Sequence, residues 1–137
     1  MVKQIFINFP IADLKRSVDF FTALGFSFDP RWTDDTATCM NVGDNIFAML
    51  LTRQRFQTFT PKPVVDATTA TEVLVCLSLE SREAVARMVE TALAHGGRPA
   101  RPATDHGFMY EHSFQDPDGH IWELVHMNAT AQAAEQR

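Results

Sequence analysis

Cysteine is scarce in this chain, and so is concentrated positive charge. The 137 residues include two cysteines, Cys39 and Cys76, far apart in strand-like surroundings and without a Cys-x-x-Cys spacing. Buried, reduced thiols are the plain reading, and they suit a cytoplasmic location. Lysine and arginine form no dense run and the formal net charge is −5, so a nucleic-acid backbone is not an expected partner. No uninterrupted apolar stretch approaches the roughly 20 residues needed to cross a bilayer, so no membrane is expected either. The opening Met-Val-Lys-Gln-Ile-Phe lacks the basic region and long apolar run of a secretory signal. What remains is ordinary for a folded domain: 45% hydrophobic and 21% charged residues, in a chain long enough to bury roughly two-thirds of its unfolded surface.

The landmarks recur in two halves. Residues 4–11 have strand composition. Asp13 offers a helix cap, Leu14, Val18 and Phe21 follow at helical spacing, and Gly25 stops the helix. Residues 72–79 again read as a strand, with Ser81 as the next cap. Val85, Met88, Val89, Ala92 and Leu93 form one helical stripe, closed by Gly96-Gly97. Asp13 aligns with Glu80, Val18 with Val85 and Phe21 with Met88, each offset by 67 residues. Further strands are expected at 26–32, 37–42 and 46–52, and at 98–103, 108–115 and 120–127. The pattern predicts an α+β fold in which a β-α-β-β-β module is made twice. Module 1 runs over about 1–52 and module 2 over about 72–127, together a single domain over 1–127. Between them, 53–71 is a Pro- and Thr-rich connection of the kind that serves either as a binding loop or as a solvated linker. Residues 128–137 read as a polar tail, a frayed helix or disordered.

The most informative stretch is Ser113-Phe-Gln-Asp-Pro-Asp-Gly-His-Ile-Trp-Glu-Leu124, two strands around an Asp-Pro-Asp-Gly turn. Glu123 stands among apolar neighbours in the second strand, where a carboxylate is costly unless something faces it. If Asp116–Gly119 closes a regular hairpin, Gln115 pairs with His120 and the ladder continues through Phe114–Ile121, Ser113–Trp122, His112–Glu123 and Tyr110–Val125. This predicts His112 beside Glu123, with Tyr110 and Phe114 on the same face, as either an acid–base or ligand-anchoring dyad or a cross-strand ion pair. A β-bulge would bring Glu111 there instead. His120 reads as a turn residue, His126 shares the outer face with Trp122, and His95 ends the second helix. His106 lies in a Thr-Asp-His-Gly loop.

The paired plan, the first strand running into Pro-Ile-Ala-Asp-Leu-Lys-Arg-Ser-Val-Asp-Phe-Phe-Thr-Ala-Leu-Gly-Phe, and the hairpin Asp-Pro-Asp-Gly-His-Ile-Trp-Glu-Leu resemble the vicinal oxygen chelate superfamily, over essentially residues 3–127. That family includes glyoxalase I, fosfomycin- and bleomycin-resistance proteins and extradiol dioxygenases. The resemblance implies open cups paired around a cavity, within one chain or across a homodimer. It also implies a divalent ion held from the first strand of each half, the last strand and sometimes the fourth. Carried across by position, Glu123 matches the last-strand ligand, whereas Phe6, Leu74 and Leu50 fall on the other positions and cannot coordinate a metal. A two-residue shift substitutes Asn8 and Glu72 on the same strand faces. The expected binding residues are therefore Phe6, Asn8, Leu50, Glu72, Leu74 and Tyr110, with Arg53 and Arg55 in reach of an acidic group on the ligand.

Two functions compete. In one, the protein binds a small, partly apolar molecule without the usual metal and without a confidently assigned cofactor, as drug-sequestering resistance proteins do. In the other, it is a lyase, isomerase or dioxygenase using His112 and Glu123, or a divalent ion at Glu123, Asn8 and Glu72. A dimer with a vestigial cavity is a third, non-catalytic reading.

Overall fold

The computed structural model describes residues 1–128. The chain divides into two compact units, Met1–Asp66 and Ala67–Arg137. The polar tail expected at 128–137 lies outside the described residues except for Asn128.

In the first unit, strand β1 (Ile5–Ile11) leads into helix α1 (Leu14–Ala23), then β2 (Ser27–Asp29), β3 (Ala37–Gly43), β4 (Ile46–Thr52) and a short helix α2 (Arg53–Gln57). The sheet order is β1-β4-β3-β2, with β1 parallel to β4 and the other pairs antiparallel. The Asp13 carboxylate accepts the Arg16 N–H at 3.0 Å and caps α1. Gly25, at φ 100°, stops it by a left-handed turn. Phe20 and Phe21 are buried, and α1 packs against β4 and β2. Alternation puts Phe9, Ala48, Leu50 and Met40 on one sheet face and Phe6, Asn8, Phe47 and Met49 on the other. The first set is almost wholly buried, whereas Phe6 and Asn8 are exposed.

The second unit repeats the plan: β5 (Val75–Ser78), α3 (Arg82–Ala94), β6 (Arg98–Pro99), β7 (Thr104–Asp105), β8 (Met109–Gln115) and β9 (Ile121–Met127). Its sheet runs β5-β9-β8-β6, with β7 also pairing β8 and with β5 parallel to β9. Ser81 caps α3 through the Ala84 N–H at 3.0 Å. The caps are Asp13 and Ser81, one residue out of step with the expected match of Asp13 to Glu80. Helix α3 buries Ala84, Val85, Val89 and Ala92 against the sheet, while Leu93, expected in its stripe, is exposed. Phe114, Trp122 and Leu124 are fully buried beneath it. Both sheets are open, and the expected α+β architecture of two β-α-β-β-β modules is the one found.

Several boundaries differ from expectation for identifiable reasons. Of the strand expected at 98–103 only β6 forms, since Pro102 has no N–H to donate to a ladder, and pairing with β8 resumes only at β7, beyond the expected range. The strand expected at 72–79 starts only at Val75, because β9 begins at Ile121 and offers almost no partner further upstream. Glu72 and Leu74 precede β5 and are exposed. The connection over 53–71 contains α2, capped by the Thr52 hydroxyl, which accepts the Arg55 N–H at 3.3 Å. Cys39 is buried as expected, but Cys76 is exposed. Among the described residues no helix is long and apolar enough to cross a membrane.

The main correction concerns the hairpin. Asp116 closes it with His120 and not with Gly119: the Asp116 N–H donates to the His120 carbonyl at 2.9 Å, and the N–H of Gly119, at φ 92°, also reaches the Asp116 carbonyl at 2.9 Å. The turn therefore holds one residue more than a regular two-residue hairpin, and the ladder runs Gln115–Ile121, Phe114–Trp122, Ser113–Glu123, His112–Leu124, Glu111–Val125 and Tyr110–His126. A one-residue slip exchanges the two faces of a strand. Glu123 consequently faces away from His112, Tyr110 and Phe114. The cause is the Asp116 side chain. One carboxylate oxygen accepts the Asp118 and His120 N–H groups, each at 3.0 Å, and the other accepts Trp122 Nε1–H at 3.0 Å.

Candidate functional site

On the second sheet, the face turned away from α3 is built around Glu123. Its direct neighbours across the ladders are Ser113 on β8 and Cys76 on β5, and Glu111 lies diagonally on the same face. The segment between β6 and β7 supplies the counter-charge. Arg101 is anchored through its backbone N–H, which donates to Ser113 Oγ at 3.1 Å. Its guanidinium donates to Glu123 Oε2 at 2.9 Å and lies 3.8 Å from Glu111 Oε1. His106 Nε2 stands 3.2 Å from that same Glu111 oxygen. The result is an alternating array, Glu123, Arg101, Glu111, His106, whose two carboxylates are only 20% and 21% exposed. Two half-buried carboxylates on one face repel each other, and the shared guanidinium offsets that cost.

Cys76 records the field of this array. Desolvation raises its thiol pKa above the ordinary value, and the Glu123 and Glu111 carboxylates raise it further. A raised pKa favours the neutral thiol in the folded protein, so the nucleophilic thiolate is depleted. Iodoacetamide at pH 8 is therefore expected to alkylate Cys76 more slowly than an unstructured peptide thiol, and the Glu111→Gln, Glu123→Gln double variant should react faster. Buried Cys39 stays silent in the native protein. An unchanged rate in the double variant would show that the two carboxylates do not bear on the thiol.

The remaining expected residues are dispersed. His112 sits on the α3 side of the sheet opposite Leu124, and its Nδ1 accepts the Ser113 N–H at 3.0 Å. Tyr110 is paired with His126 and lies beneath the Arg82 guanidinium, 4.8 Å from its ring centre. Arg82 is in turn ion-paired with Asp105, and this pairing holds the Asp105 carboxyl below the usual carboxylate range. His126 Nδ1 hydrogen-bonds the Leu79 carbonyl at 3.0 Å and His95 Nδ1 the Thr91 carbonyl at 2.9 Å, both explained by local backbone.

In the first unit, Phe6 and Asn8 come together in a cavity of about 440 Å³ lined by Ile5, Phe6, Ile7, Asn8, Phe56, Phe59 and Thr60. Phe6 stacks on Phe47 with ring centres 4.9 Å apart and planes 17° from parallel. Phe56 belongs to α2, and Phe59 and Thr60 follow it. Leu50 does not reach this cavity. It is 1% exposed on the opposite sheet face, because strand alternation places it with Phe9 and not with Phe6. Arg55 lies over the Phe59 ring at 5.7 Å and donates to Thr36 Oγ1 at 3.2 Å, and Arg53 donates to the Val64 carbonyl at 3.2 Å. Both arginines are thus engaged within the unit. Sequence reasoning missed Arg101, Phe56 and Phe59, which lie in segments without strand or helix periodicity. Glu111 was legible only as the outcome of a shifted register.

Two β-α-β-β-β units, each with its first strand parallel to its last and one with a carboxylate in the final strand, define a class of paired-module α+β proteins. The chain belongs to the Glyoxalase/Bleomycin resistance protein/Dioxygenase superfamily, whose family model matches residues 4–124. Among solved structures it is similar to a hypothetical protein, SA1046, from S. aureus, at 25% identity and TM-score 0.77, over 91% of this chain and 94% of that one. It is similar in fold to a glyoxalase-related enzyme from Fulvimarina pelagi, at 23% identity and TM-score 0.77, over 91% and 88%. The fosfomycin resistance protein FosX from Mesorhizobium loti shares the fold at 15% identity and TM-score 0.69, over 97% and 99%. No curated protein matches.

Proposed function

We propose that this protein binds a small, partly apolar molecule without using the divalent ion typical of its superfamily, and that it does so as a cytoplasmic homodimer built from single-domain chains. The observation that carries the reading is the groove beside Phe6. A position at which the family's metal enzymes place a ligand holds an aromatic ring in an open, mostly apolar groove of about 440 Å³, in which Phe6 and Phe59 are half or more exposed.

The donors around Glu123 do not fit the ion. The carboxylate is engaged by Arg101, the Ser113 hydroxyl accepts the Arg101 N–H, and burial with the two carboxylates raises the Cys76 thiol pKa, which disfavours the thiolate that an ion would need. Leu50 is core, and Leu74 has no donor atom. A fixed guanidinium takes up the negative charge that a metal would neutralise. Protein purified without a nickel step is therefore expected to carry less than stoichiometric Zn, Ni, Fe or Mn. Its Tm should be unchanged by chelator or by added ion, since only a ligand that binds the native state shifts it. A stoichiometric ion accompanied by stabilisation would overturn the metal-free reading.

The second reading, an acid–base enzyme, is favoured by the contact between His106 and Glu111 beside Glu123. A carboxylate that holds one imidazole tautomer equips that ring for proton transfer. In this reading His106 replaces His112 as the partner in the acid–base pair.

A further inference from the structure

Resting on the proposal that the groove of the first unit binds a small molecule, we infer that its ligand class is an uncharged, planar aromatic ring bearing a hydrogen-bonding group such as a carboxamide. Four observations lead there. The lining contains no charged side chain: five of its residues are apolar, and Asn8 and Thr60 are neutral. An ion placed there finds no counter-charge among the lining side chains. The floor is already a stacking surface, since Phe6 lies nearly parallel to Phe47 at 4.9 Å yet keeps 50% of its own surface exposed. Offset parallel rings attract beyond the area they bury, so a third ring gains more on this shelf than a saturated ring of equal size. The rings of Phe56 and Phe59, supplied by α2 and the turn after it, line the same space.

Asn8 supplies the polar half of the specificity. It stands on β1 two residues beyond Phe6 and on the same face. Its side-chain amide makes no hydrogen bond with another described residue, although it is held at the groove by the parallel ladder with β4. An amide can donate and accept at once, which matches a carboxamide and is only half used by a carboxylate. Arg55 is not part of the lining: its guanidinium hydrogen-bonds the Thr36 hydroxyl and its charge acts on the Asp34 carboxyl, which it helps to hold below the usual carboxylate range.

The test uses three probes of matched skeleton: 2-naphthamide, its decahydro analogue, and 2-naphthoate, titrated against the full chain by ligand-observed NMR. 2-Naphthamide is expected to bind about fivefold tighter than the saturated amide and about tenfold tighter than the carboxylate. Phe6→Leu, which keeps an exposed apolar side chain, should bring the planar and saturated amides to within about twofold of each other. Asn8→Leu should weaken 2-naphthamide about tenfold while leaving plain naphthalene unchanged. Equal binding of the two amides by the native chain overturns the ring selectivity and leaves the binding proposal standing. Preferred binding of 2-naphthoate overturns the uncharged class. Absence of binding by all three in the millimolar range, together with a Phe6→Leu variant that shifts from dimer to monomer in light scattering, overturns both, and the groove is then a contact between copies.

Discussion

Asp116→Ala is expected to lower the unfolding free energy by about 3 kcal/mol and the Tm by on the order of 10 °C, although the residue touches neither the groove nor the charged array. Asp116 is 3% exposed and accepts three hydrogen bonds, from the Asp118 and His120 N–H groups and from the indole of fully buried Trp122. Alanine removes the acceptor of all three and leaves a small void beside Trp122. Taking away one partner of a buried hydrogen bond costs more than the bond itself contributed, which is why the sum is large. Burial pushes the Asp116 carboxyl above the usual carboxylate range, against the pull of the His120 charge and the Trp122 indole. An acid raised on folding contributes its full stabilisation below its unfolded pKa, and loses part of it as the pH climbs through the folded value. The deficit of the variant should therefore be larger near pH 4 than at pH 7. Urea melts of both proteins at these two values measure it, and a variant with the native midpoint at both would refute the role given to this side chain.

Gly119→Ala should cost about as much, roughly 3 kcal/mol, by a different mechanism. Part of this, about 1 kcal/mol, is the left-handed backbone, at φ 92°. The rest, about 2 kcal/mol, is steric. An added Cβ would stand 2.8 Å from the Ala67 carbonyl oxygen and 2.9 Å from Ala67 C and Thr68 Cα, and backbone cannot swing aside as a long side chain can. Gly96 is the internal control. It has φ 103° and nothing within 4 Å of where an added methyl would stand, so Gly96→Ala carries the backbone cost alone. Thermal melts of the two variants should differ by several degrees, and equal melts would show that residues 67 and 68 yield freely to the turn.

The same turn explains how far the sequence could be read. Caps and stops announce themselves locally. Asp13, Ser81 and Gly25 each act within a few residues of their own position, and the helices fall where these signals put them. Strand existence was equally legible from β-branched and aromatic runs. Register was not, because it depends on whether Asp116 closes the hairpin with Gly119 or with His120, and that is decided by a carboxylate reaching Trp122 six positions away. The error then propagated through the whole strand, moving His112 off the face of Glu123 and bringing Glu111 onto it. Leu50 failed for a related reason: a ligand position counted along a strand is right only if the parity is right. Arg101 was missed because Pro102 marks where the strand stops, but nothing local says that the break leaves a guanidinium over two carboxylates. The aromatic wall from α2 was hidden in a connection too short of periodicity to be read as a helix.

In both units the first strand pairs in parallel with the last, β1 with β4 and β5 with β9. Neither sheet can therefore be completed until its final strand has been made, and every unit must close a long loop before its first strand gains a partner. Such non-local pairing slows folding at a given stability. On the ribosome, however, the two delays run in sequence. The first unit has all its strands once Thr52 has emerged, so it can settle while the second is still being synthesised. β9 then acts as a latch, and chains cut short before Trp122 should leave β5 as an unpaired edge prone to recruit a strand from another molecule.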